Sequence, residues 1–240
     1  MSGSQVRFYR FARVVLRATC FWPYRARVVD GAKVPTSGAC VLAPSHRSML
    51  DIPWLAMATK RRVRYMGKAS LFRVPLLGRV FTLLGGFAVE RDGSDRGPLR
   101  DSLKILDGGE PLAVYPEGTR QHGPTIQVLQ PGAAYLAIKA QVPIVPIALA
   151  GTEEAWRGPG RLPRFGRGGV VLVGDPITPP ARTGSVVKRE LVDELNARLH
   201  AELQRLFDEA NALRDSGRRA SGRRSSARRA SGQAPNPIDR

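Results

Sequence analysis

ACVLAPSHRSMLD, residues 39–51, joins an apolar run to a polar segment that holds a histidine and an aspartate. The apolar half predicts a buried strand, so His46 stands at a strand end, where it can meet a substrate. Asp51, five positions later, can accept a hydrogen bond from the far ring nitrogen and fix the imidazole tautomer. The pair is typical of a general base, His46, with its orienting carboxylate, Asp51.

This histidine–aspartate spacing has a second interpretation, a loop histidine beside a helix whose first turn holds Asp51. Under the catalytic interpretation a protein nucleophile is missing, because the sequence contains neither a Gly-x-Ser-x-Gly elbow nor a suitable Cys–His arrangement. The chemistry predicted is then removal of a proton from a substrate hydroxyl. That hydroxyl attacks an activated acyl group directly.

Three further blocks share one form, a buried strand that delivers polar or rigid residues at its end. They are GGFAVER at 85–91, VYPEGTR at 114–120 and VPIVPIAL at 142–149. Helical patterns lie between the strands, and this alternation predicts an α/β fold with a mixed, largely parallel sheet flanked by helices. Because ligands bind at the strand ends of such sheets, the four blocks together predict one site.

Taken in this order, the four blocks resemble the glycerolipid acyltransferase family, in particular its 1-acyl-sn-glycerol-3-phosphate (lysophosphatidic acid) acyltransferases, over residues 25–180. The resemblance implies a glycerol-3-phosphate acyltransferase-like fold. It also implies transfer of a fatty acyl chain to the free hydroxyl of a lysophospholipid, most directly 1-acyl-sn-glycerol-3-phosphate, which gives phosphatidic acid. Acyl-coenzyme A or acyl-carrier protein is the implied donor, and neither a cofactor nor a metal is implied. On this basis His46 is the base, Asp51 orients it, and Arg91 and Arg120 hold the acceptor phosphate.

The guanidinium groups suit that role, because they offer several fixed donors to a phosphate and stay charged. The backbone amides of Gly118 and Thr119 add donors in the same turn. Glu117 has two interpretations: the resemblance puts it in the acceptor-binding turn, whereas its negative charge suits a brace for Arg120 or for the turn. Arg91 also fits a plain surface charge after a strand.

Two departures from the family pattern leave the acceptor open. The segment KASL at 68–71 lacks the acidic residue usual in that block, and LQP at 129–131 lacks the lysine that often precedes Gly132. The second departure removes a phosphate contact. Another lysophospholipid or a glycolipid is therefore the alternative acceptor.

The composition predicts one sizeable core and an anionic partner. The 240-residue chain has 38 Lys and Arg against 20 Asp and Glu, a net charge of +18. Such an excess fits a membrane surface with anionic lipids, coenzyme phosphates or nucleic acid. A nucleic-acid-binding protein is the non-enzymatic alternative, but it leaves the four blocks without a purpose, so no nucleic-acid partner is expected. Cys20 and Cys40 form neither a metal-binding spacing nor a disulfide framework.

Three regions are predicted along the chain: an amphipathic membrane-association helix within 1–24, an acyltransferase domain at 25–213 and a disordered Arg/Ser-rich tail at 214–240. Residues 5–22 carry a cationic stripe on one side and apolar residues on the other, which is typical of a helix in a membrane interface. The alternative is a helix packed on its own domain. Because no transmembrane segment or signal peptide is recognisable, we expect a peripheral protein on the cytoplasmic face of the cell membrane. The stripe comprises Arg7, Arg10, Arg13 and Arg17.

Overall fold

A computed structural model describes residues 3–89, 96–156, 160–182, 184 and 186–230. The helices are α1 (Gly3–Cys20), α2 (Asp51–Ala58), α3 (Ala69–Phe72), α4 (Pro75–Leu83), α5 (Arg96–Asp107), α6 (Gly132–Ala140), α7 (Thr152–Ala155) and α8 (Arg189–Ala230). The strands are β1 (Ala26–Val29), β2 (Cys40–Pro44), β3 (Arg64–Lys68), β4 (Gly86–Val89), β5 (Pro111–Ala113), β6 (Ile144–Ala150) and β7 (Gly169–Val173). Two 3₁₀ turns cover Trp22–Tyr24 and Gly31–Lys33.

Within the described residues, the seven strands form one sheet in the order β1-β7-β6-β2-β5-β3-β4. Neighbouring strands pair in parallel except β6 and β7, which are antiparallel. The predicted mixed, largely parallel sheet is therefore confirmed. Strands β2 to β6 all end at one edge of the sheet, and β1 and β7 begin there. This edge, called the carboxyl edge below, brings together the segments that follow the strands of the four sequence blocks.

Both faces of the sheet are covered, which explains why its central strands read as continuous apolar runs. Along β2, Val41 and Ala43 belong to the core shared with α5, α6 and α8, whereas Leu42 belongs to the core shared with α2. On the α2 side, the ring of Trp54 lies against Gly169, where any Cβ would clash with it. This close approach seats α2 firmly on the sheet.

The predicted N-terminal helix is present as α1, and one side of it packs on the domain. Tyr9 is buried, and Arg13 donates hydrogen bonds to two backbone carbonyls at the end of α2, so Arg13 leaves the predicted cationic stripe. The packing interpretation therefore holds for this side. None of the described helices has the length and apolarity needed to cross a bilayer. The opposite side exposes the apolar residues Phe11, Val14 and Val15.

The C-terminal helix is longer than the sequence suggests. Helix α8 continues to Ala230, past residue 214, where the sequence predicts a disordered tail to begin; residues 231–240 lie outside the described residues. Arg214 is buried and pairs with Glu154 of α7. Arg218 also donates to the Glu154 carboxylate, at 3.2 Å. The hydrogen bond from Arg214 lowers the pKa of Glu154. Arginine and alanine have high helix propensities, so the composition of this segment permits a helix. The ion pair with Glu154 of α7, by contrast, forms only in the assembled fold.

Candidate active site

The structure places His46 and Asp51 in contact at the carboxyl edge. His46 lies in the loop after β2, and Asp51 is the first residue of α2. The imidazole Nδ1 lies 2.8 Å from Asp51 Oδ2; the aspartate side chain is fully buried, and the histidine side chain is 16% exposed. Because Nδ1 donates to the carboxylate, Nε2 is the nitrogen left unprotonated in the neutral ring. This arrangement provides a base whose orientation and tautomer are fixed.

The Asp51 carboxylate is itself held by the loop that carries the histidine. Its Oδ2 accepts the backbone N–H groups of Arg47 at 2.6 Å and Ser48 at 2.7 Å, in addition to the imidazole. The N-terminus of α2 also favours a negative charge at this position. The Ser48 hydroxyl donates to the Trp156 carbonyl at 2.6 Å, which ties the loop to the segment after α7. The pair is therefore preorganised by backbone groups.

Tyr115 forms one wall of the site, and the sequence interpretation passed over it. Its ring centroid lies 4.1 Å from that of His46, with the planes inclined by 33°. Its hydroxyl is buried without a hydrogen-bond partner among the described residues, and burial holds the pKa of Tyr115 well above its usual value. Because β2 and β5 are neighbours with Leu42 opposite Ala113, Tyr115 follows β5 beside the His46 loop. The order of the strands in the sheet was the information that sequence reasoning lacked for placing Tyr115 at the site.

We expect Tyr115→Phe and Tyr115→Ala to behave differently. Loss of the unpartnered hydroxyl leaves the ring packing intact, so Tyr115→Phe keeps its activity and its stability. Loss of the ring removes the surface against which the imidazole rests, so Tyr115→Ala lowers kcat by about tenfold or more, as a misplaced catalytic group does. Steady-state kinetics of both variants measure the difference. Equal activities for the two variants contradict a positioning role for the ring.

Glu117 is buried in the protein interior. Its carboxylate forms an ion pair with Arg47, Nη1 to Oε2 at 2.8 Å, and the two side chains are 0% and 2% exposed. One oxygen accepts the backbone N–H of His46 at 3.0 Å, and the other accepts that of Gln127 at 3.1 Å. The placement of Glu117 in an acceptor-binding turn stays a prediction, and the contacts seen here are all with the protein itself. These contacts favour the bracing interpretation, with Arg47 rather than Arg120 as the ion-pair partner.

Arg47 fastens the histidine loop to two other parts of the fold, and sequence reasoning missed it. Its guanidinium lies over the ring of Phe207 in α8, 4.8 Å from the ring centroid. It also donates to the carbonyls of His46 at 3.0 Å and Thr125 at 3.1 Å. An arginine that directly follows a strand-end histidine is a weak hint of this role, since only the fold shows that the side chain points inward.

The remaining predicted phosphate-binding residues lie in the loop after β5. Gly118, Thr119 and Arg120 are all exposed there, and Gly118 has a positive φ of 74°. The next residue, Gln121, donates its backbone N–H to the His46 carbonyl at 2.9 Å, which brings this loop against the histidine loop. Arg91 lies outside the described residues, so its placement stays a prediction.

Comparison with known proteins identifies the family of the chain. Residues 25–150 match the family model described as Acyltransferase. The chain is 31% identical over 137 residues to 1-acyl-sn-glycerol-3-phosphate acyltransferase beta of Homo sapiens, covering 53% of this chain and 47% of that protein. It is 25% identical over 147 residues to a Bacillus subtilis 1-acyl-sn-glycerol-3-phosphate acyltransferase, covering 61% and 73%.

Two further comparisons define what the likeness covers. A chloroplastic relative of the same activity name from Brassica napus is 26% identical over 152 residues, covering 62% of this chain and 44% of that protein. The chain thus spans about half the length of several curated relatives that it matches. A crystal structure of a 1-acyl-sn-glycerophosphate acyltransferase from Thermotoga maritima superposes with a TM-score of 0.69 at 20% identity, covering 84% of this chain and 78% of that one. At that identity the likeness establishes the fold.

Proposed function

Because the chain belongs to the acyltransferase family, we propose that it moves a fatty acyl chain onto the free hydroxyl of a lysophospholipid. The acceptor proposed is 1-acyl-sn-glycerol-3-phosphate, and the product is phosphatidic acid. The observation that carries the proposal is the His46–Asp51 pair, with Nδ1 and Oδ2 2.8 Å apart at the carboxyl edge. The names of the curated relatives support the same acceptor.

The reaction proceeds by direct attack. His46 Nε2 removes the proton from the acceptor hydroxyl, and the oxygen forms a bond to the thioester carbonyl carbon. The tetrahedral intermediate collapses, the carbon–sulfur bond breaks, and the imidazolium returns the proton to the leaving thiolate. Buried Asp51 stabilises the imidazolium between these two steps. No acyl-enzyme is needed, and burial raises the pKa of the Cys40 thiol to about 11, which makes that thiol a poor nucleophile.

The acceptor phosphate is assigned to the loop after β5. Arg120 is exposed beside the amides of Gly118 and Thr119, and this loop contacts the His46 carbonyl through Gln121. Arg91 is the second proposed guanidinium. The donor is acyl-coenzyme A or acyl-carrier protein, without a cofactor or a metal. A phosphate held here presents the acceptor's free hydroxyl toward the histidine loop.

An acceptor panel tests the reaction. The purified chain is incubated with acyl-coenzyme A, and separately with acyl-carrier protein, against lysophosphatidic acid, other lysophospholipids, monoacylglycerol and a lysoglycolipid. Mass spectrometry identifies the products. Formation of phosphatidic acid at the highest rate is the expected result. If another acceptor reacts faster, that acceptor replaces lysophosphatidic acid in the proposal. If no donor–acceptor pair gives a product, the result contradicts acyl transfer.

Arg120→Ala is expected to lower kcat/KM for lysophosphatidic acid by about 10- to 100-fold, because a hydrogen bond to a charged group contributes roughly 1.5–3 kcal/mol. The loss is expected mainly in KM, and monoacylglycerol, which lacks the phosphate, is expected to be affected little. Arg189→Ala is the control, since Arg189 is the exposed first residue of α8. Arg214, farther along the same helix, lies at the carboxyl edge. Arg189 is roughly 37 Å along the helix from it and is therefore far from the candidate site. Equal losses for both acceptors contradict a phosphate contact.

The protein is further proposed to act from the cytoplasmic face of the cell membrane, as a peripheral protein on anionic lipids. The exposed side of α1 supports this, because Phe11, Val14 and Val15 lie there next to Arg10 and Arg17. Apolar and cationic side chains on one helix surface suit the boundary between headgroups and acyl chains. A lipid acceptor is also found in that boundary.

A further inference from the structure

The segment between α7 and β7 exposes two large apolar side chains. Residues 160–167 are all exposed, and within them Leu162 is 89% and Phe165 is 61% exposed. The segment 160–168, called the 160–168 loop below, alternates these residues with arginine in the order RLPRFGR at 161–167. Large apolar side chains exposed close together form the kind of patch that marks an interaction site.

The loop is held in place rather than left free. Arg164 donates its backbone N–H to the Ala155 carbonyl at 2.7 Å, and the backbone N–H of Gly166 donates to the Pro23 carbonyl at 2.8 Å. The Trp156 indole donates to the Arg161 carbonyl at 3.0 Å. These bonds fix both ends and the middle of the loop, so its exposed side chains keep a set position.

The loop also contacts the turn that follows α1. The Phe165 ring lies 5.1 Å from that of Tyr24, in the 3₁₀ turn that follows α1. Trp22, in the same turn, is itself 62% exposed. Trp22 and Phe165 therefore expose two aromatic rings beside the C-terminal end of α1.

This surface lies at the same edge of the sheet as the candidate active site. The loop leads into β7, which begins at the carboxyl edge beside the end of β6. Trp156, just before the loop, accepts a hydrogen bond from Ser48 in the histidine loop. Met49 and Ile52, on either side of Asp51, are also exposed there. A partner that covers the 160–168 loop thus meets the protein on its active side.

The charge of the loop indicates an anionic partner. Residues 156–168 contain no acidic residue, and Arg161, Arg164 and Arg167 are exposed. An anionic bilayer attracts each such cation by about 1 kcal/mol, and it also accepts the apolar side chains between them. Nucleic acid attracts the arginines as well, but it offers no apolar phase for Leu162 and Phe165.

We propose that the 160–168 loop is a second lipid contact, which docks the carboxyl edge on an anionic bilayer together with α1. Leu162 and Phe165 insert at the level of the headgroups, and the three arginines bind lipid phosphates. The choice of a lipid surface rests on the proposed function, because an acceptor embedded in a bilayer must reach His46 from that surface. Two contacts at different places fix how the carboxyl edge is oriented toward the membrane. With α1 as the single contact, the domain can rotate about that helix.

Flotation of the full-length chain with vesicles tests the proposal. Vesicles of phosphatidylcholine with phosphatidylglycerol are compared with phosphatidylcholine alone. Leu162→Ser is expected to weaken partition into the mixed vesicles roughly tenfold. Arg161→Ser/Arg164→Ser/Arg167→Ser is expected to weaken it at least about tenfold and to remove the preference for phosphatidylglycerol. Phe11→Ser/Val15→Ser in α1 serves as the reference for the first contact.

Matched controls lie at the opposite edge. Val186→Ser removes an exposed apolar side chain, 74% exposed, and Arg189→Ser removes an exposed arginine, so both are expected to float like the unchanged chain. Leu162 is nearly fully exposed, which makes Leu162→Ser safe for folding, and thermal unfolding verifies this. Partition unchanged in both the leucine and the arginine variants overturns the proposal. Loss on the arginine variant alone, with matching loss of DNA binding, also overturns it in favour of nucleic acid.

Activity measurements separate this proposal from the proposed function. Leu162→Ser is expected to transfer acyl groups normally to a short-chain, water-soluble lysophosphatidic acid and several-fold more slowly to the same headgroup embedded in vesicles. Failure of the unchanged chain on every acceptor contradicts the proposed function. In that case the flotation result still tests whether the 160–168 loop binds lipid. Normal transfer with unchanged flotation of the variants contradicts the loop alone.

Discussion

His46→Ala is expected to lower kcat/KM for acyl transfer by about 10²–10⁴, the usual contribution of a positioned general base. This substitution removes the proposed base, and Asp51 is buried beyond the reach of a substrate. The histidine side chain is partly exposed, so its loss leaves the core unchanged. Initial rates with acyl-coenzyme A and lysophosphatidic acid measure the effect, and circular dichroism with thermal unfolding verifies the fold.

A second histidine–carboxylate pair provides the matched control. His122 Nδ1 lies 2.9 Å from Glu153 Oε1, but the imidazole is largely exposed and its carboxylate receives no backbone amides among the described contacts. His122→Ala is expected to keep most of the activity. Asp51→Asn is expected to follow His46→Ala in direction, because an amide nitrogen facing Nδ1 favours the wrong tautomer. Normal turnover in His46→Ala, or an equal loss in His122→Ala, contradicts the proposed mechanism.

Glu117→Gln is expected to lower the free energy of unfolding by about 3–5 kcal/mol, the cost of leaving one charge of a buried ion pair without its partner. The carboxylate is fully buried against Arg47 and accepts the backbone N–H groups of His46 and Gln127. The amide can keep one of these bonds but leaves the guanidinium uncompensated. Urea unfolding at constant pH measures the change.

Two further variants isolate the charge. Arg47→Met combined with Glu117→Gln removes both charges and is expected to be more stable than either single substitution, because no buried ion remains unpaired. Glu202→Gln is the surface control: its partner Arg205 is exposed on α8, and such pairs contribute roughly 0–1 kcal/mol. Similar losses in Glu117→Gln and Glu202→Gln contradict the structural role assigned to the buried pair.

Local sequence was enough to predict the elements of the fold. The central strands β2, β6 and β7 coincide with apolar runs, and the alternation of strands with helices predicted a mixed, largely parallel sheet. The parallel pairs of β2 with β5 and β6 and the antiparallel pair of β6 with β7 establish that arrangement. The contact between His46 and Asp51 was also predictable. Both residues lie within one strand–loop–helix segment, and the geometry of a short segment depends on few other residues.

Contacts between distant segments were not predictable in this way. Glu117 lies 70 residues from Arg47 in the sequence, and nothing in either segment specifies the other as its partner. Arg214 pairs with Glu154, which lies 60 residues away in the sequence. Because local sequence does not reveal this contact, a disordered tail was expected where α8 continues. In both pairs, burial decides the role, and burial is a property of the assembled fold.

The sequence by itself determined the chemistry of the candidate base and the order of strands and helices, because hydrophobic periodicity and the His–Asp spacing act over a few residues. Only the tertiary structure decided that Glu117 faces inward, that Tyr115 stacks on the imidazole, and that the 160–168 loop lies beside the turn after α1. Those relations follow from strand order in the sheet, which is set by packing between segments far apart in the chain.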